Sequence, residues 1–162
     1  MTNAPFADST VPAVDGDVGA FAALVRRHAG PLLRLVTRVE GDRRLAEAVV
    51  HNAFVAAWAD RDRFDPFRSF KLWLYRLALA RGRAADVRRP APGSPSPPAA
   101  ADPALAAVDR LPPRQRAVVL LRVWEDLSYD EIGFVLAVTE GSARSEMYYA
   151  LAALRNWFRH AP

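Results

Sequence analysis

The sequence contains no cysteine. A disulfide framework, a thiolate metal site, a thiol redox sensor and a cysteine nucleophile are thereby excluded. That absence fits a reducing compartment. Histidine is nearly as scarce: His28, His51 and His160 lie far apart and lack zinc-ligand spacing. There is no Gly-rich phosphate loop, no H-E-x-x-H and no G-x-S-x-G. Asp60, Asp62 and Asp65 are neighbours, but no glutamate closes a calcium loop, so they read as a solvated loop. No window approaches the roughly 18 apolar residues of a membrane span. The opening stretch, Met1 to about Asp15, has neither the basic nor the apolar region of a signal peptide. No strand pattern of useful length appears. These absences give no support to an enzyme, a metal site, a cofactor or membrane insertion.

Lysine is the other scarce residue: of 22 basic side chains only Lys71 is a lysine. Arginine suits phosphate recognition, but a GC-rich coding bias gives the same composition, and both readings stay open. The distribution of charge is more informative. Residues 1–20 carry three acids and no base, residues 21–89 are net +8, and residues 104–162 balance seven bases against seven acids. The chain's net +4 therefore resides almost wholly in its first half, which is suited to a polyanion.

Proline divides the chain. Six of the 13 prolines fall in residues 90–103, PAPGSPSPPAAADP. Such a segment neither continues a helix nor supplies a core. The expected organisation is a flexible tail over 1–16, a helical domain over 17–89, a Pro-rich linker over 90–103 and a second helical domain over 104–162. The fold class is all-α.

Within the first domain, Phe21, Leu24, Val25, His28, Leu32, Leu35, Val36 and Val39 recur at helical spacing. Gly30-Pro31 predicts a kink or break there. Gly41 ends the run and Asp42 caps the next helix, whose stripe is Leu45, Ala46, Val49, Val50, Ala53, Phe54 and Trp58. Asp60–Ser69 reads as a charged loop. A third helix then sets Phe70, Trp73, Leu74, Leu77 and Ala78 on one face. In the second domain, Pro112-Pro113 opens a helix that runs to Trp124. Ser128-Tyr129-Asp130-Glu131 is a capping box for a short helix. Ala137-Val138 makes a turn, and Thr139 caps a final helix carrying Ala143, Met147, Ala150, Leu151, Leu154 and Phe158.

Two motifs carry chemistry. Ser128 to about Leu154 has the spacing of a helix-turn-helix, which places Gly141 to Tyr148 in a DNA major groove; an ordinary helical hairpin gives the same spacing. Arg61 to Arg89 interleaves Phe64, Phe67, Phe70, Trp73 and Tyr75 with Arg63, Arg68, Lys71, Arg76, Arg81 and Arg83. Aromatic faces stack on unpaired bases while arginines follow phosphates. The plainer reading makes Phe70, Trp73 and Leu74 core and the arginines a solvated face. Trp73 reads as core, and Phe64 and Phe67 suit either role.

The joint order of these pieces resembles an extracytoplasmic-function (ECF, group IV) sigma factor of bacterial RNA polymerase. The matching fragments in the first half include Gly41-Asp42, Ala46-Glu47, Ala57-Trp58, Arg63-Phe64 and Phe70-x-x-Trp73-Leu74-Tyr75-Arg76-Leu77-Ala78. In the second half they are Leu111-Pro112-Pro113-Arg114-Gln115-Arg116, Leu127-Ser128-Tyr129-Asp130-Glu131-Ile132 and Val138-Thr139-Glu140-Gly141-Ser142. The resemblance implies a sigma region 2-like bundle and a region 4-like helix-turn-helix, working in the cytoplasm with RNA polymerase core, promoter DNA and an anti-sigma factor as partners. It further implies that Glu47, His51, Phe54 and Trp58 meet the polymerase. Arg63, Phe64, Phe67, Phe70, Lys71, Tyr75, Arg76, Arg81 and Arg83 would hold the melted −10 strand. Ser128, Gly141, Ser142, Ala143, Arg144, Ser145 and Tyr148 would read the −35 duplex.

The chain departs from the family pattern at functional places. Ala48 and His51 stand where Asp-x-x-Gln is usual, and Leu79-Ala80 where Arg-Asn is usual. Glu146 and Tyr149 occupy positions where arginine is typical. These departures leave open an alternative: a sigma-like interaction protein that has lost promoter opening and acts as a decoy or regulator.

Overall fold

The computed structural model describes residues 17–65, 67–85 and 102–160, except for the side chains of 81–85. The expected tail and nearly all of the expected linker lie outside the described residues. Seven α-helices and no strand are present among those that are described. They are α1 (Val18–Glu40), α2 (Arg43–Ala59), α3 (Phe70–Ala85), α4 (Pro103–Asp109), α5 (Pro113–Val123), α6 (Tyr129–Leu136) and α7 (Glu140–His160), with a 3-10 turn at Arg61–Arg63.

Local chemistry sets most boundaries. The Asp17 carboxylate accepts from the amides of Gly19 and Ala20 and opens α1. Gly41 closes it in the left-handed conformation at φ 73°, where a side chain is disfavoured. Asp42 caps α2 through the amides of Arg44 and Leu45. Each such cap stabilises by about 1 kcal/mol. The Ser128 hydroxyl accepts from the Glu131 amide while Glu131 accepts from the Ser128 amide, completing the capping box.

Two sequence expectations are corrected. Of the kink or break expected at Gly30-Pro31, the break does not occur: α1 is continuous, with Pro31 inside it. An interior proline costs about 3 kcal/mol. Directly after it, Leu32, Leu35 and Val36 are almost fully buried, and burying such side chains returns about 1.5–3 kcal/mol each. Tertiary burial outweighs the local break. The second correction is α4, absent from the periodicity reading. Asp102 caps it and Pro103 occupies its first turn, so a helix begins where the Pro-rich segment was expected to end.

The helices pack as one body. α1, α2 and α3 form the first bundle, and α5, α6 and α7 the second. α3 lies against α6, and α1 lies against α5. A contiguous core runs through both, from Leu32, Leu35 and Leu74 to Leu120, Leu121 and Ile132. Arg116 braces the join. Its guanidinium donates to the carbonyls of Arg38 and Val39 at the end of α1, and to those of Asp109 and Leu111 between α4 and α5. Arg38 pairs with Asp109 at 2.6 Å beside it.

The bend between α6 and α7 depends on two small residues. Ala137 adopts φ 54°, ψ 46° as the C-cap of α6. Gly133 faces the turn so closely that an added Cβ would lie 2.9 Å from the Val138 carbonyl oxygen. Ala137→Gly should therefore raise unfolding stability by about 1 kcal/mol, by removing the left-handed strain of a β-carbon. Gly133→Ala should lower it by about 1–3 kcal/mol, through the clash with backbone. Urea unfolding of both variants checks the opposite signs.

Candidate nucleic-acid interface

The loop from Asp60 to Ser69 and the start of α3 form the first candidate surface. The 3-10 turn follows α2 directly, and Arg61 folds back over Trp58, donating to its carbonyl at 2.9 Å with its guanidinium 4.8 Å from the ring. Phe64 leaves this turn inward. It packs on Phe70 and Trp73 at centroid distances of 5.9 and 5.2 Å and is buried. Phe70 is equally buried, against Trp73 and His28. Phe67 points the opposite way and is 97% exposed. Its amide donates to the Asp65 carboxylate, an Asx turn that presents the ring outward. The alternation is steric: Phe64 fills the apolar space against Phe70 and Trp73 of α3, whereas Phe67 projects into solvent.

Several expected strand-holding residues therefore do different work in this conformation. Phe64, Phe70 and Tyr75 are buried and shape the surface rather than line it. Phe67, Arg63 and Arg68 remain on it; Arg63 and Arg68 make long ion pairs of 3.8 Å to Asp60 and Asp65, and the Arg68 guanidinium also lies 4.4 Å from the Phe134 ring centroid. The side chains of Arg81 and Arg83 lie outside the described residues. A groove of about 310 Å³ runs among Arg63, Phe64, Asp65, Arg68, Trp73 and Arg76, three cations against one acid, with Phe134 of α6 closing one side. Its walls join cationic and aromatic groups, the pairing that holds unpaired bases by stacking and phosphates by charge.

Lys71, Tyr75 and Arg76 face the second bundle. Lys71 Nζ lies 2.6 Å from Glu125 Oε2, and the Tyr75 hydroxyl donates to the same oxygen at 3.1 Å. Burial, followed by the negative charge of Glu125, pushes the Tyr75 phenol well above its ordinary range. The hydroxyl is thereby kept as a donor. Arg76 donates to the Phe134 carbonyl at 2.8 Å, and its guanidinium lies 4.8 Å from the Phe134 ring centroid. Local sequence reasoning missed Glu125 and Phe134, because they lie 50 and 58 residues from the side chains they meet.

The second surface is the helix-turn-helix of α6 and α7. The Thr139 hydroxyl accepts from the Ser142 amide at 3.1 Å and starts α7. Gly141, Ser142, Arg144, Ser145, Tyr148 and Tyr149 are exposed along its N-terminal half, whereas Ala143 and Met147 point into the core. Ala143 thus sets how closely α7 approaches the bundle and presents no surface. Ser128 is exposed, with its hydroxyl engaged in the capping box. Arg144 is held by Glu140 and lies over Tyr129 at 4.8 Å. Glu146 lines a cavity of about 450 Å³ together with Arg114, Ser145 and Tyr149.

The expected polymerase face is split. Glu47 and His51 are exposed on α2, with Glu47 paired to Arg43 at 2.9 Å. Phe54 is buried edge-on to Phe21, and Trp58 leans on Phe21 at 5.0 Å. Phe54 and Trp58 therefore stiffen the helix that displays Glu47 and His51.

Comparison with known proteins covers both halves. Residues 24–89 match the family model for sigma-70 region 2, and residues 102–154 match that for sigma-70, region 4. The ECF RNA polymerase sigma factor SigL of Mycobacterium tuberculosis is 31% identical, over 88% of this chain and 93% of its own length. The ECF RNA polymerase sigma factor SigE of Mycolicibacterium smegmatis is 32% identical over 83% of this chain, which spans 60% of that relative. Among solved structures, CnrH in complex with the cytosolic domain of CnrY superposes with a TM-score of 0.70 at 24% identity, covering 94% of this chain and 96% of that one. RpoE bound to the anti-sigma factor NepR from Bartonella quintana gives a TM-score of 0.68 at 19% identity, covering 90% of this chain and all of that one. These two likenesses concern the fold.

Glu146 sits beside the exposed face of α7, where its charge opposes phosphate. Glu146→Arg should tighten duplex DNA binding and steepen its log–log salt dependence by about one. Fluorescence anisotropy across a salt series measures both. An unchanged slope would place residue 146 away from the phosphates.

Proposed function

This chain belongs to the ECF RNA polymerase sigma factors of the sigma-70 family, which direct transcription initiation and are not enzymes, and we propose that it performs both DNA-handling parts of that task. The first bundle holds the melted −10 strand, and the helix-turn-helix reads the −35 element as duplex. Glu47 and His51 contribute to the surface that docks on RNA polymerase core. The work takes place in the cytoplasm, where the polymerase and promoter are, and an anti-sigma factor is the natural antagonist. The Pro-rich segment, 90–103, tethers the two readers and raises the effective concentration of the second contact once the first has formed.

The observation that carries this reading is the split presentation around α3. Phe67 stands free at the tip of a basic loop, and the groove behind it joins arginines to aromatic walls. A strand that has lost its partner offers the complements, stacking faces and a phosphate run. A duplex hides those faces, so the first half is suited to opened DNA. The second half is neutral overall and suits the other task, placing a helix with short polar side chains, Ser142 and Ser145, at base edges. The departures at Ala48, Ala80, Glu146 and Tyr149 alter the strength and sequence preference of these contacts while leaving both bundles intact.

Run-off transcription with core polymerase, on a template taken from upstream of the chain's own gene, should give a specific transcript. Phe67→Ala should lower it about tenfold, since one base–aromatic stack contributes about 1–3 kcal/mol. The fold should be unaffected, because the ring makes no buried contact. No transcript from any upstream template, together with tight binding to another protein, would instead identify the decoy described above.

A further inference from the structure

The exposed surface of α7 divides into two stripes. Arg144 and Tyr148 lie four residues apart on one, where Glu140 and the ring of Tyr129 hold Arg144. Ser142, Ser145, Glu146 and Tyr149 follow at i, i+3, i+4 and i+7 on the other. This second stripe lines the cavity of about 450 Å³. Val118 and Leu136, both buried, add apolar lining. Arg114, exposed in the first turn of α5, supplies the cation.

Arg114 and Glu146 share this cavity without meeting. Among the described residues, neither side chain has an ion pair or a hydrogen bond. An unpaired acid on a DNA-facing helix lowers affinity for any duplex, because phosphates border the groove. Arg144, the only cation between Glu140 and Tyr149, is already engaged and lies on the other stripe. The cation available to offset Glu146 is therefore Arg114, which comes from α5, outside the helix-turn-helix. The two groups suit different parts of a duplex. A guanidinium fits a phosphate, whereas a carboxylate only accepts hydrogen bonds. In the major groove guanine presents two acceptors and thymine one, which a carboxylate meets unfavourably. Adenine sets its one donor beside an acceptor, and cytosine presents an amine donor alone.

We propose that Arg114 and Glu146 act as a pair on duplex DNA: Arg114 holds a backbone phosphate beside the groove that receives α7, and Glu146 accepts from the exocyclic amine of a cytosine within it. The proposal rests on the reading of the helix-turn-helix as the −35 reader. It makes Glu146 a source of sequence preference, with Arg114 supplying the affinity that the acid removes. Separation across the cavity leaves both groups free for DNA. A phosphate is present at every step and a cytosine amine is not. The Arg114 contact is therefore independent of sequence, and the Glu146 contact is confined to one base pair.

Selection from a duplex library with a randomised upstream element, using the full chain on core polymerase, tests both members of the pair. The parent should enrich a C·G pair at one position by about tenfold over the alternatives. Glu146→Gln, nearly the same shape, should move that preference to A·T, since a carboxamide bonds adenine at two atoms. Glu146→Ala should abolish the preference there and leave the other positions unchanged. Arg114→Ala should weaken selected and unselected duplexes about equally and lower the log–log salt slope by about one. Arg114→Lys should restore the slope. Far-UV dichroism should be unchanged in every variant, because neither side chain makes a hydrogen bond that holds the fold. A base preference that survives Glu146→Ala would overturn the role of Glu146, and an unchanged slope in Arg114→Ala that of Arg114. Either result leaves the helix-turn-helix as a duplex reader. A parent that enriches no upstream sequence would overturn the proposal together with the −35 reading.

Discussion

One face of α3 determines how this molecule is arranged. Lys71 and Tyr75 stand on it four residues apart and converge on Glu125, and Arg76, further round the helix, reaches Phe134. On an isolated first bundle they would form a basic stripe in water. Here Glu125 and Phe134 meet that stripe and bring α6 against α3. The contiguous core, the bracing by Arg116 and the position of the helix-turn-helix all follow from this join. A basic surface attracts any acid the chain can bring to it, and this chain brings one.

The division of charge has a structural counterpart. The net +8 half concentrates its cations on the loop and helix suited to a flexible, highly charged strand. The neutral half supplies shape: a tight turn at Ala137, close approach at Gly133, and an exposed α7 face of small polar and tyrosine side chains. Duplex readout depends on placement more than on total charge, because base edges are read through geometry. Membership of the sigma-70 family explains why both surfaces occur in one chain.

Most local rules were legible in the sequence. Asp42, Gly41, Ser128 with Glu131, and Thr139 act at the helix ends that their residue types predict. On α7 the period placed Ala143, Met147 and Ala150 correctly in the core, but Leu151 and Phe158, expected on the same stripe, are exposed. Pro31 was misleading because its local penalty is offset by burial of residues far away in sequence. α4 escaped notice because seven residues give too little periodicity, although Asp102-Pro103 is itself a start signal. Phe64 and Phe67 were indistinguishable by type and neighbourhood, yet one is buried and the other almost wholly exposed. Their difference depends on how the loop packs on Phe70 and Trp73, which residue type alone does not record.

The sequence by itself determined the helical class, the caps, the charge asymmetry and the family. Each is a property of residue type, spacing or order along the chain. Only the tertiary structure decided which cations are free. Arg63 keeps its charge toward solvent, while Lys71 and Arg76 are engaged by groups 54 and 58 residues away. Electrostatic and packing forces act through space, and at contact distance a carboxylate on a distant loop holds a cation as a near neighbour would. Spacing along the chain carries no record of that meeting until the bundles pack.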